Sequence, residues 1–99
     1  KNFKVNIALN WQKKYDLLTG KLSYNSASNT GLIKFNANKD GECFGTFSLQ
    51  NNKGVWSFSC SKTNITAFGD LFLNDDKIDG KGYDKKNNLI KFVSSKLYE

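Results

Sequence analysis

Cys43 and Cys60 lie equidistant from the dipeptide Asn51-Asn52. No other feature of the chain constrains the fold as tightly. A two-residue turn at Asn51-Asn52 sets Cys43 directly opposite Cys60. It also places Phe47 against Trp56, Gly45 against Phe58 and Leu49 against Gly54 on one face. Thr46, Ser48, Ser57 and Ser59 fall on the other face, with Phe44 and Val55 as apolar exceptions. Asn tolerates the positive φ that such turns require. Gln50 and Lys53 then form the first hydrogen-bonded pair, and pair types alternate outward. Positions 43 and 60 land on a non-hydrogen-bonded pair, where Cα atoms approach to about 4.5 Å. That is the short end of the range a disulfide spans. Closing this loop is worth roughly 3 kcal/mol in the chain-entropy model. The competing reading is two buried free thiols in a cytosolic protein. Register, face and spacing favour the bridge. Two cysteines with no histidine do not complete a tetrahedral zinc site unless carboxylates join them, so neither a metal nor any other cofactor is expected.

The same logic extends along the chain. Phe3, Val5, Ile7, Leu9 and Trp11 alternate with Lys4, Asn6, Ala8 and Asn10, which marks a half-buried strand over 3–11. Gln12 to Asp16 reads as a polar connection, with a helical turn at Tyr15 to Leu18 as the alternative. A second strand covers 17–24, through Leu18, Leu22 and Tyr24 around Gly20. Asn25 to Thr30 is a loop. A third strand covers 31–38, through Ile33, Phe35 and Ala37, and Asn38 to Gly41 turns it. The hairpin strands span about 42–50 and 53–61. A sixth strand covers 65–73 and a seventh 77–83, turned at Asp75-Asp76, with Leu73 set against Ile78, Leu71 against Gly80 and Gly69 against Gly82. An eighth covers 89–97, with Ile90 opposite Gly82 and Phe92 opposite Gly80. A glycine opposite an aromatic ring lets the ring lie on bare backbone and permits sharp curvature. The fold class is therefore all-β: one antiparallel meander of about eight strands over 1–99, a closed barrel or a two-sheet sandwich, stapled by Cys43–Cys60.

Ninety-nine residues make one small domain, in which a disulfide matters to stability. No apolar run is long enough for a membrane helix. A disulfide-bonded chain that starts at Lys1 reads as a mature or trimmed form that has lost an export signal, or as one domain of a longer protein. The expected location is extracytoplasmic: periplasmic, cell-surface or secreted. The net charge is +6, and all 15 basic residues are Lys. Arg is the usual residue for bidentate phosphate and guanine contacts. Its absence, beside abundant Asn, Ile and Phe, is what AT-rich coding produces, so no specific nucleic-acid partner is expected.

Catalytic residue types are scarce. The absence of His excludes Ser-His-Asp and Cys-His systems. Asp40 with Glu42, or Asp70 with Asp79, are the carboxylate pairs available, and they lie in or near turns of a chain too short for a deep glycosidase cleft. The chain is read as non-enzymatic. Asp70, Asp75, Asp76, Asp79 and Asp84 cluster in sequence but lack the alternation of a calcium loop, and turn chemistry accounts for them. Asn64-Ile65-Thr66 matches the glycosylation acceptor pattern, a match expected by chance in an Asn-rich chain. Gly69-Asp70-Leu71-Phe72 followed by Asp79-Gly80-Lys81-Gly82-Tyr83 resembles the glycine-and-aromatic hairpin of a MORN repeat. The intervening spacing is longer than in that family and no regular period follows, so the family is not assigned.

Phe44, Phe68, Phe72, Tyr83, Leu89 and Val93 fall out of phase with the core set. A contiguous group of them on the outside would mark a partner or dimer site. The expected function is non-catalytic binding of a protein or cell-envelope component, through Phe68, Phe72 and Tyr83 with Lys81, Lys85, Lys86 and Lys91. A homodimer through the same patch is a second use of it. The alternatives are a carrier of a small hydrophobic ligand inside a barrel, an inhibitor of a secreted hydrolase, and a single-stranded nucleic-acid binder, against which the missing Arg and the expected export both count.

Overall fold

A computed structural model describes residues 2–95. Eight strands follow one another: β1 (Asn2–Trp11), β2 (Lys14–Asn25), β3 (Thr30–Asn36), β4 (Glu42–Gln50), β5 (Lys53–Cys60), β6 (Thr66–Asn74), β7 (Lys77–Asp84) and β8 (Leu89–Ser94). Each pairs antiparallel with the next, and β1 pairs with β8, from Ile7 opposite Ser94 to Trp11 opposite Ile90. That last pairing decides between the two expected architectures: the sheet closes as a barrel and has no free edge. The only helical element among the described residues is a 3-10 turn at Asn38–Asp40.

The hairpin register is as expected. Cys43 faces Cys60, Phe47 faces Trp56 and Gln50 faces Lys53. The two cysteines form a disulfide with Cα atoms 4.0 Å apart, and both are buried. Leu73 faces Ile78, Gly69 faces Gly82, Ile90 faces Gly82 and Phe92 faces Gly80.

Two expectations change. The second strand begins at Lys14, not Leu17; the polar connection shrinks to Gln12-Lys13, and no helical turn forms at Tyr15 to Leu18. Gln12 and Lys13 form a two-residue turn with φ of 54° and 63°. Asn51-Asn52 and Asp75-Asp76 make the same kind of turn, also with positive φ at both residues. Asn and Asp suit that backbone, while Gln and Lys carry no such signature. The third strand ends at Asn36, not at residue 38. The Asn36 Oδ1 accepts the Asn38 N–H at 2.8 Å, and Asn38 turns to φ 54°, which takes the chain off the ladder. At the other end β8 stops at Ser94; the expected continuation to 96 and 97 lies outside the described residues.

The interior is packed with rings. Phe58 lies edge-on to Phe35 and Trp11, with centroids 5.2 and 5.7 Å away, and stacks on Trp56 at 5.3 Å. Trp56 in turn meets Phe92 edge-on at 5.3 Å. The rings find room because glycines lie beneath them. A Cβ at Gly80 would overlap the Phe92 ring, and one at Gly31 would overlap Phe47. Both buried indoles are satisfied, as buried N–H groups must be. Trp56 Nε1–H donates to the Asp70 carbonyl at 2.8 Å, and Trp11 Nε1–H donates to Asp84 Oδ2 at 2.9 Å.

Asp84 is 2% exposed and accepts three more hydrogen bonds, from Lys86 N, Asn88 N and Asn88 Nδ2. It therefore caps the β7–β8 turn and ties it to β1 across the closure. Burial pushes its carboxyl pKa up, but the bonds from Asn88, Trp11 and Lys86 outweigh this and hold it below the ordinary value. A lowered folded pKa means that the stabilisation is present above the unfolded pKa and is lost as pH falls through the folded one.

Three outcomes are expected. Replacing Gln12-Lys13 with Asn-Gly should raise unfolding free energy in denaturant melts by about 1–2 kcal/mol, by relieving left-handed backbone at two L-residues. Asp84→Asn should cost about 1–3 kcal/mol at neutral pH, because buried donors lose their acceptors. In the parent, stability should fall as pH drops below the ordinary aspartate pKa of about 3.9; the fall should be shallower in Asp84→Asn.

Candidate functional site

With the interior packed, the exposed side chains lie on the outer wall. The remaining interior cavity is about 20 Å³, lined by apolar side chains that include Ile7, Leu9, Leu71 and Phe92. That is about the space of a single water. A small-molecule pocket is roughly 300–1,000 Å³, far larger than this cavity.

All the out-of-phase aromatic and aliphatic residues point outward. Phe68 is 69% exposed and Tyr83 50%, with Phe44, Phe72, Leu89 and Val93 also exposed. The register shows which of them meet. Phe68 faces Tyr83, and Tyr83 faces Leu89, so β6, β7 and β8 carry one continuous apolar strip. Directly beside it runs a charged row in which Asp70 faces Lys81 and Lys81 faces Lys91. Asp70 therefore has a lysine opposite it and is not paired with Asp79. Lys85 and Lys86 stand in the turn just past Tyr83.

Phe72 does not join the strip. It faces Asp79, which faces Val93, which faces Ala8, which faces Leu17. The charged row separates these two sets, so the candidate residues form an apolar strip (Phe68, Tyr83), a basic border (Lys81, Lys85, Lys86, Lys91) and a detached aromatic (Phe72).

The strip also extends the other way. Phe68 faces Ser57, which faces Thr46, which faces Leu32. Small hydroxyl residues on β4 and β5 leave a shallow groove between Leu32 and Phe68, edged by Val55 and Tyr83. Leu32, Tyr15 and Leu17 are exposed apolar residues that the strand phases above did not single out. Tyr15 lies in the stretch 12–16 expected to be a connection, and Leu17 falls on the outer phase of the expected strand 17–24. Leu32 alternates with Ile33 and carries no mark of its own beyond its phase.

Asp40 and Glu42 have different settings. Asp40 is buried in the 3-10 turn, while Glu42 lies outside with its Oε2 3.6 Å from the Lys34 Nζ.

No protein-family model and no curated protein sequence matches the chain. Among solved structures, a redesigned β-barrel is similar, with a TM-score of 0.66 at 12% identity over 96% of this chain and 88% of that one. At that identity the likeness speaks to the fold alone.

Because the strip is exposed, Phe68→Ala or Tyr83→Ala should lower stability by no more than about 1 kcal/mol, the scale of a cross-strand pair. Phe58→Ala, inside, should cost about 3–5 kcal/mol. Parallel denaturant melts measure both.

Proposed function

We propose that this protein is a non-catalytic binding domain that contacts a protein or cell-envelope component through the outer wall of β6–β8. The observation that carries the reading is the in-register strip Phe68–Tyr83–Leu89, exposed on a barrel whose own core is complete. The barrel gains only cross-strand contacts by keeping two aromatic rings and a leucine side by side in water, whereas a partner that covers them gains their full burial. The basic border of Lys81, Lys91, Lys85 and Lys86 favours a partner with an apolar patch rimmed by carboxylates. An inhibitor of a secreted hydrolase would use the same contact, as would a homodimer.

The disulfide supports an oxidising location, outside the cytoplasm. No helix among the described residues is long and apolar enough to cross a membrane. The wall itself also argues against a spanning role. Outer-membrane barrels carry an apolar band outside and polar residues inside; here the interior is apolar and lysines project outward on β1, β2, β3, β7 and β8.

The test is affinity capture from an envelope or secreted fraction, with the parent and a Phe68→Ala/Tyr83→Ala double variant immobilised side by side. The reading expects a partner retained by the parent and lost by the variant. Identical retained sets would refute it. Sedimentation of both proteins separates self-association from a foreign partner: a dimer in the parent that dissociates in the variant assigns the strip to a second copy.

A further inference from the structure

A second feature of the wall lies on β1–β3. Lys4 on β1 faces Lys21 on β2, and Lys21 faces Lys34 on β3. The row continues to Phe44 on β4, and all four side chains are exposed. Like charges directly opposite each other are disfavoured in a sheet. Coding bias explains why the basic residues are lysines; it does not explain three of them stacked on neighbouring strands. Among the described residues the ladder has one counter-charge, Glu42, at 3.6 Å from Lys34. Lys21, at the centre, has a lysine on both sides.

We propose that the ladder is a binding site for a linear acidic polysaccharide, whose carboxylate or sulfate groups replace the missing counter-charges. Charge complementarity sets the sign of the ligand, and the surroundings set its class. Hydrogen-bonding groups predominate in the rows on either side of the lysines: Ser23 and Thr46 flank the exposed Leu32 on one side, and Asn6, Thr19 and Asn36 lead to Glu42 on the other. Such groups suit sugar hydroxyls. A single-stranded nucleic acid needs free aromatic faces to stack on, and the Lys34 ammonium lies over the Phe44 ring, 5.2 Å from its centroid. The chain also lacks the Arg forks that grip phosphates in pairs. A planar membrane fits poorly, because the ladder curves around three of the eight strands of a closed barrel. A flexible polymer can follow that curve. This site is separate from the β6–β8 wall and stands or falls independently of it.

The experiment is a fluorescence-anisotropy titration with labelled heparin and labelled polygalacturonate, beside a labelled oligo-dT and vesicles containing anionic lipid. The proteins compared are the parent, Lys4→Gln/Lys21→Gln/Lys34→Gln, and a charge-matched control, Lys81→Gln/Lys85→Gln/Lys91→Gln. Saturable binding of either polysaccharide is expected, weakening as salt rises from about 50 to about 200 mM. The ladder variant should lose at least about tenfold in affinity and the control less than about threefold. Equal losses in the two variants would reduce the effect to net charge and overturn the proposal. So would an absence of polysaccharide binding at low salt, or tighter binding to the oligonucleotide or the vesicles. Folding is controlled by Lys21→Glu, which places an acid between two lysines: its melting midpoint should rise above the parent's while polysaccharide binding falls. A rise in both binding and stability would also contradict the site.

Discussion

The closed barrel depends on aromatic rings lying against bare backbone. Eight short strands enclose a narrow interior, and six large buried rings share it: Trp11, Phe35, Phe47, Trp56, Phe58 and Phe92. The Phe92 ring occupies the space where a side chain at Gly80 would stand, and the Phe47 ring does the same at Gly31. Those glycines let the sheet curl tightly enough for β8 to reach β1. Once closed, the seam is held by five residue pairs and by the Trp11–Asp84 hydrogen bond, which links the end of β1 to the β7–β8 turn. The disulfide lies elsewhere, on the β4–β5 hairpin, so it reinforces one hairpin and leaves closure to the rings and the seam.

Much of this was legible in the order of residues because hairpins are local. A turn and an alternation are enough to set a register, and the matched cysteines gave the register of β4 and β5 an independent check. Legibility failed where the turn carried no chemical signature. Gln12-Lys13 adopts the same left-handed backbone as Asn51-Asn52, yet neither residue announces it, so the strand character of Lys14, Tyr15 and Asp16 is not legible. Closure was illegible for a different reason. No turn joins β8 to β1, and Trp11 and Asp84 are 73 residues apart, so the choice between barrel and sandwich rested on curvature alone. A redesigned barrel with the same architecture at 12% identity fits this view: alternation, turns and curvature carry the fold, and few individual residues are obligatory.

The outer wall divides along the same line. That Phe68 and Tyr83 face out follows from phase within their own hairpin, and their pairing follows from its turn. That Phe72 stands apart from them, across the Asp70–Lys81–Lys91 row, depends on rows running laterally over several strands. The Lys4–Lys21–Lys34 ladder is lateral in the same way. Two of its contacts pass through the β2 register that the unmarked turn concealed. Composition alone gives the positive charge as a property of the whole chain; the three-strand register shows three of its lysines stacked on β1–β3.

The proposed recognition surfaces are on the exterior because the interior is packed. A two-dimensional NMR titration with a medium-chain fatty acid tests this directly. The probes are the indole N–H signals of Trp11 and Trp56 and the interior methyls of Ile7, Leu9, Leu71 and Ile90, all buried. A full interior predicts that these signals stay in place while any perturbation is confined to outer-wall residues. A saturable shift of the interior methyls and indoles would show that the barrel opens to hold a ligand, and would contradict it.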